Sequence, residues 1–447
     1  MVRSPDVTTL LAHGIGGRQD LPIPFAFAVA GAALALLVSF VVLAVAWRVP
    51  RLDGDAHGRP LPSWVTTAVD SPALRWVLRA VGLLLVGYTA MAAYLAPDLA
   101  TNPTAGLVYV VFWLGLIPAS FLLGPVWREL NPIRTIHLLL ARATGSTPEE
   151  AGLRPLPPWL GAWPAAAGLF AFAWLELVAP DRATTPVIRI FFTAYLGVHL
   201  LGAVVFGSRW LDRGDAFEVF SQLIGRLSPF GRRPDGRIVV RNPLANLAGL
   251  TPAPGLAAVV CVLLGSTAYD SLTGSPSFVR WYQSSPLGTT GAGTIGLLGA
   301  VLVVGAAFGL ATALAGRATG LPSRSMPGAL AHTIVPIALG YLVAHYLTLF
   351  VLEGQRAMVA ISDPFSDGSD WFGTAGRGVD LSILSHQTMI ASIQVGAIVI
   401  GHVLGAVAAH DRSVAIFRPG RVVAGQLPLM VLMVAYTVTG LLLLFAA

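Results

Sequence analysis

The chain has 447 residues, 55% of them hydrophobic and only 11% charged, with a mean hydropathy of +0.73. So few charges cannot clothe a globule in water, so the composition excludes a soluble enzyme or binding module and implies an all-α polytopic membrane protein. The formal charge is +6, and every one of the 28 basic residues is arginine. Their placement in loops between apolar runs points to contact with membrane lipids rather than nucleic acid.

Residues 1–24 lack the basic-then-apolar pattern of a signal peptide and read as a short exported tail. Arg3 and Arg18 in this tail are balanced by Asp6 and Asp20. Its end, HGIGGRQDLPIP (13–24), combines His13 with glycines and prolines in a shaped loop. Ten apolar runs then approach the roughly 20 residues that cross a bilayer. They lie at 25–47, 76–96, 104–127, 158–179, 185–207, 253–270, 292–315, 327–352, 385–409 and 422–446. With both termini outside, the inner loops hold 21 arginines and the outer segments six, with Arg189 inside a span. That asymmetry supports a single integral membrane domain, multi-pass in the cell membrane.

The loops differ by side. On the inner side, NPIRTIHLLLARATG (131–145) spaces Ile133, Ile136, Leu139 and Leu140 as an interfacial helix, and AFEVFSQLIGRLSPFG (216–231) reads the same way. The Arg-rich 208–252 loop continues through GRRPDGRIVVRNP, and the paired Asn131–Pro132 and Asn242–Pro243 steps hint at a duplicated unit. Pro118 and Pro336 lie inside the third and eighth spans, where they are expected to kink them. Glycines in the seventh and ninth spans, Gly401 and Gly405 among them, allow close helix packing. The outer loop ISDPFSDGSDWFGTAGRGVD (361–380) is acidic without EF-hand spacing. Cys261 stands alone in a span, which leaves no disulfide or CxxC pair.

Ionisable groups inside apolar runs are costly and mark candidate sites. His199, His332 and His402 fall about five to eight residues from the cytoplasmic ends of their spans, ~8–12 Å deep. They either hydrogen-bond separately across helix interfaces or ligate a metal, with His199 and His402 the pair for haem b. Toward the outer face stand His345, Glu353, His386, Glu176, Asp270 and Arg189. His345, His386 and Glu353, with His13, are the candidate divalent-metal ligands. His345, Glu353, Arg189, Glu176 and Asp270 are the candidate catalytic set. The bland alternative makes Glu176 and Asp270 interfacial caps and Arg189 their ion-pair partner.

The HGIGGRQDLPIP tail, the STAYDSL run (266–272), the SDPFSDGSDWFGT loop and GHVLGAVAAHDR (401–412) resemble an actinobacterial family of polytopic membrane proteins labelled fenitrothion hydrolase-like. The resemblance implies hydrolysis of organophosphate esters and assigns no residue a role. Two readings of the residues stand beside it. One is a metal-dependent ester hydrolase at the outer layer. The other is a permease, a metal or proton transporter, or a haem- or copper-binding redox protein. A small-molecule or metal substrate and a membrane-protein partner fit either reading.

Overall fold

Apolar runs this long fold as helices because a bilayer offers the backbone no other hydrogen-bond partner. A computed structural model of the chain describes residues 17–52, 54 and 58–445, and it is helical almost throughout. The protein is an all-α integral membrane protein. Its helices of interest are α1 (Phe25–Ala46), α2 (Pro72–Leu95), α3 (Gly106–Leu123), α4 (Pro132–Ala143), α5 (Trp163–Leu177) and α6 (Thr185–Phe206). They continue as α7 (Ala216–Gly225), α8 (Leu256–Thr273), α9 (Gly288–Thr319), α10 (Val335–Ala360), α11 (Gln387–Ile416) and α12 (Val422–Leu444). Among the described residues, nine helical stretches are long and apolar enough to cross a membrane, and α5, at 15 residues, is the shorter tenth.

The chain forms two units. The first comprises residues 1–51, 260–358 and 376–447; the second comprises 52–259 and 359–375. In the first, α11 and α12 pack on α1, and α12 also packs along α9. In the second, α7 is wrapped by α3 and α5, while α2 and α4 pack against α6.

α7 corrects the expectation of an interfacial helix at 216–231. Nine of its residues, from Ala216 through Gly225, are buried, which leaves no polar face for water. A short helix buried on every side belongs in a core, and its buried Glu218 and Ser221 are hydrogen-bonded there. Phe217 and Phe220 meet Trp113 of α3, Phe217 meets Phe172 of α5, and ring centroids lie 4.7–6.2 Å apart. α4 does form where its pattern predicts, burying Ile133, Leu138 and Ala141 and exposing Leu139 and Leu140.

The two prolines also sit differently from the expectation. Pro118 falls in the first turn of Leu116–Leu123, directly after a π-helical stretch at Gly106–Leu114. Pro336 is the second residue of α10, after a 3-10 turn at Ala331–Ile334. Both therefore occupy first turns, where the missing N–H costs little, and the irregular backbone precedes them. Asn131 and Asn242 are N-caps whose side chains accept from the first-turn amides, each followed by proline at the first helical position. Capping accounts for both Asn-Pro steps locally. The Arg-rich turn makes a small antiparallel sheet instead of coil: β1 (Arg59–Pro60), β2 (Phe230–Arg232) and β3 (Ile238–Val240) pair in the order β1-β3-β2.

Candidate functional site

The densest intramembrane polar cluster of the first unit joins α8 to α10. Asp270 and Ser271 are consecutive on α8. Tyr341 and His345 stand one turn apart on α10, with Tyr346 beside them. His345 Nε2 lies 2.8 Å from Asp270 Oδ2, and the Tyr346 hydroxyl donates to the same oxygen at 2.9 Å. On its other edge, His345 Nδ1 is 3.1 Å from Ser271 Oγ, and Tyr341 O–H donates to that hydroxyl at 2.8 Å. His345 is 4% exposed and the Asp270 side chain 10%. The carboxylate fixes the tautomer: Nε2 carries the hydrogen toward Asp270, and Nδ1 accepts from Ser271. One hydrogen-bonded chain thus runs Tyr341, Ser271, His345, Asp270, Tyr346.

The other members of the predicted outer set have separate partners. Glu353 forms an ion pair one turn along α10 with Arg356. His386 is exposed at the N-cap of α11, its Nδ1 3.0 Å from Ser382 O and 3.1 Å from Ser385 Oγ. Glu176 and Arg189 belong to the second unit. There Glu176 acts electrostatically on Tyr109, and the Arg189 guanidinium lies 5.7 Å from the centre of the Tyr94 ring. Among the described residues, no group of three or more His, Cys, Asp or Glu side chains is placed to share a metal ion, so His345, His386 and Glu353 do not assemble. His13 lies outside the described residues.

The inner histidines also divide. His199, in the second unit, accepts from Trp210 Nε1–H on Nδ1 at 3.1 Å and lies against Tyr195. A neutral ring accepting on Nδ1 carries its hydrogen on Nε2, which is then no bare ligand atom. His402, in the first unit, has the opposite tautomer, because its Nδ1 lies 2.8 Å from Ile398 O. His332, in the turn before α10, is within electrostatic reach of Arg412.

Sequence reasoning found Asp270 and His345 but missed the hydroxyls that complete the chain. The available signal was the Tyr341/His345/Tyr346 spacing on one helix and a serine next to the aspartate. The second unit holds a further cluster that sequence reasoning left out, outside its spans. Arg134 bonds Asp212 at 2.9 Å and Glu218 Oε2 at 3.1 Å, while Asn131 Nδ2 donates to Asp215 at 2.9 Å and Glu218 at 3.2 Å. Burial pushes the Glu218 carboxyl up to about 7, against the opposing pull of Arg134. Comparison with known protein families, with curated proteins and with solved structures finds no match for this chain.

Proposed function

We propose that this integral membrane protein is a proton-coupled permease of the cell membrane in which the Asp270–His345 pair handles the proton. The observation that supports the reading is the continuous side-chain chain on α8 and α10, buried where ionisable groups are expensive to keep. A proton arriving at Nδ1 makes His345 an imidazolium held by the Asp270 carboxylate. Ser271 then turns its hydroxyl from donor to acceptor toward the ring. The neutral and protonated states differ by one hydrogen-bond reversal, which suits a reversible proton step linked to movement of α8 against α10.

A second reading rests on a specific feature: Ser271, His345 and Asp270 stand in the order nucleophile, base, acid, which matches the ester hydrolysis implied by the family resemblance. The carrier reading is preferred because Tyr341 donates to Ser271 Oγ and so engages the lone pair a nucleophile would use. Ser271 is also only 7% exposed.

Purified protein in liposomes under an imposed pH gradient tests the choice. Proton uptake is expected in the wild type and should fall at least tenfold in Asp270→Asn and His345→Phe, and by a smaller factor in Ser271→Ala, which removes the hydroxyl partner of Nδ1 but keeps the ion pair. Covalent labelling of Ser271 by a fluorophosphonate, lost in Ser271→Ala, would replace the carrier reading with the hydrolase.

A further inference from the structure

The first unit contains a cleft that the Asp270–His345 chain does not use. It lies where α1, α11 and α12 pack on one another, lined by Leu36 and Phe40 of α1, Ala406 of α11, and Leu429, Met430 and Met433 of α12. Counted to its mouth, it holds about 340 Å³. Its lining sits six to ten residues inside the ends of α1 and α11 and four to eleven inside the start of α12. At 1.5 Å per residue, that is one shared depth of about 6–16 Å on all three helices. Phe40, Ala406 and Met430 are only half-buried, so the cleft opens toward lipid.

Two polar residues, His410 and Gln426, are the lining residues nearest the helix ends. Their hydrogen bonds are satisfied within the protein. His410 Nδ1 lies 3.0 Å from Gln426 Oε1, His410 Nε2 lies 2.8 Å from Trp47 O, and Gln426 Nε2 donates to His410 O at 3.4 Å. A guest is therefore offered dispersion contact with flexible methionines and no free polar handle. Spread over about 10 Å of depth, the volume leaves a cross-section of about 34 Å², whereas a helix 10–12 Å wide needs roughly 80–110 Å². The cleft suits one extended hydrocarbon chain and is too narrow for a partner helix.

The segments at this end, 47–51 and 411–421, hold five arginines, Arg48, Arg51, Arg412, Arg418 and Arg421, against one acid, Asp411. Asp411 is turned inward at 3% exposure, where it accepts from Trp47 Nε1–H at 2.9 Å and from the Arg51 amide at 2.6 Å. The exposed Arg51 guanidinium lies 4.8 Å from the centre of the Trp47 ring and donates to Ala46 O at 3.2 Å, and the exposed Arg48 donates to Val45 O at 3.2 Å. Trp47, whose carbonyl bonds His410, thus ties both arginines to the end of the cleft. We propose that the cleft holds one acyl chain of an anionic phospholipid, with its phosphate at Arg48 and Arg51. Surplus positive charge at the membrane surface receives the headgroup, and the apolar cleft leads the chain inward. The site is independent of the Asp270–His345 chain and stands whether or not the protein carries protons.

The test titrates the full-length protein in detergent with dioleoyl phosphatidylglycerol, dioleoyl phosphatidylcholine or inorganic phosphate. Native mass spectrometry counts bound lipid, and a diazirine on the acyl chain of phosphatidylglycerol reports its position by crosslinking. The first phosphatidylglycerol should bind at least tenfold tighter than the first phosphatidylcholine, with crosslinks in 36–40, 406–410 or 426–433. Combined Arg48→Gln and Arg51→Gln should weaken phosphatidylglycerol at least fivefold and leave phosphatidylcholine within twofold. Ala406→Leu, which fills the cleft without changing charge, should cut those crosslinks at least fivefold, and Met430→Phe on the facing wall serves the same purpose if Ala406→Leu does not fold. Equal affinity for the two lipids, crosslinks confined to other segments, or unchanged phosphatidylglycerol affinity in the arginine double variant would overturn the proposal. Thermal protection by inorganic phosphate equal to that by phosphatidylglycerol would also overturn it, assigning the arginines to a free anion.

Discussion

Glu218 has none of its surface exposed, and its charge is balanced mainly by Arg134, so the pair has little tolerance for loss of one member. Replacing Arg134 with methionine leaves a buried carboxylate without its cation, a change that costs about 3–5 kcal/mol where the carboxylate is ionised. Because burial raises the Glu218 carboxyl to about 7, the protonated form is favoured in the folded protein relative to the unfolded chain. The stability linked to this group is therefore fully present below the ordinary glutamate range and is lost as pH rises through about 7. Detergent melts should fall between pH 5 and pH 8, and Glu218→Gln should flatten that slope. Arg134→Met should be destabilising at pH 8 and distinctly less so at pH 5. An unchanged slope in Glu218→Gln would assign the titration to another group. At this scale the sequence is legible where a charge falls inside an apolar run, as Asp270 and His345 do. It is silent where the partner is a hydroxyl, since Ser271, Tyr341 and Tyr346 fit an ordinary apolar helix equally well. Glu353 was misleading for the reverse reason: eight residues from His345 is a plausible shared face, but Arg356 three residues on offers a nearer partner.

Helix identity was legible from hydrophobic length, while the role of each helix depended on what surrounds it. α4 and α7 have similar lengths and apolar content. Yet α4 keeps an exposed side, and α7 is enclosed by aromatic side chains such as Trp113 and Phe172, 107 and 45 residues before their partners Phe220 and Phe217, which no local pattern encodes. Helix contact is specified more locally, by small residues. A methyl group at Gly401 would meet Pro336 O at 2.6 Å, a backbone atom that cannot turn aside, whereas one at Gly299 of α9 meets nothing within 4 Å. Gly401→Ala should therefore destabilise the protein by about 1–3 kcal/mol through overpacking. Gly299→Ala should be neutral or stabilise it by up to about 1 kcal/mol, because alanine orders the helix better than glycine. Thermal unfolding of both variants in one detergent checks the contrast, and equal shifts would mean that α10 and α11 do not meet through these glycines.

By helix length and hydropathy nine of the described helices suffice to cross a membrane, and the contacts of the second unit argue for α5 as the tenth crossing expected from the sequence. Arg134, before α5, bonds Asp212 and Glu218, after α6. The loops on either side of that helix pair thus share one face, so α5 and α6 together make an even number of crossings. Since α6 has 22 residues and crosses, α5 must cross too. Its 15 helical residues span only about 22 Å. The exposed Trp159 and Trp163 stand at one end of α5, where interfacial aromatics and a locally thinner bilayer would accommodate the shortfall. The other contacts agree with this parity. Trp47 Nε1–H donates to Asp411 at 2.9 Å, which joins the ends of α1 and α11, and Arg18 Nε–H donates to Phe445 O at 2.8 Å, which places both ends of the described chain on one side. The arginine asymmetry of the loops predicts that this side is the exterior. In a Cys261→Ala background, a membrane-impermeant maleimide should label Ser285→Cys and Ser369→Cys in intact cells. It should label Ser146→Cys and Arg233→Cys only after permeabilisation. Opposite exposure of Ser146→Cys and Arg233→Cys would show that α5 fails to cross, and a reversal of all four would invert the orientation while leaving the count of ten intact.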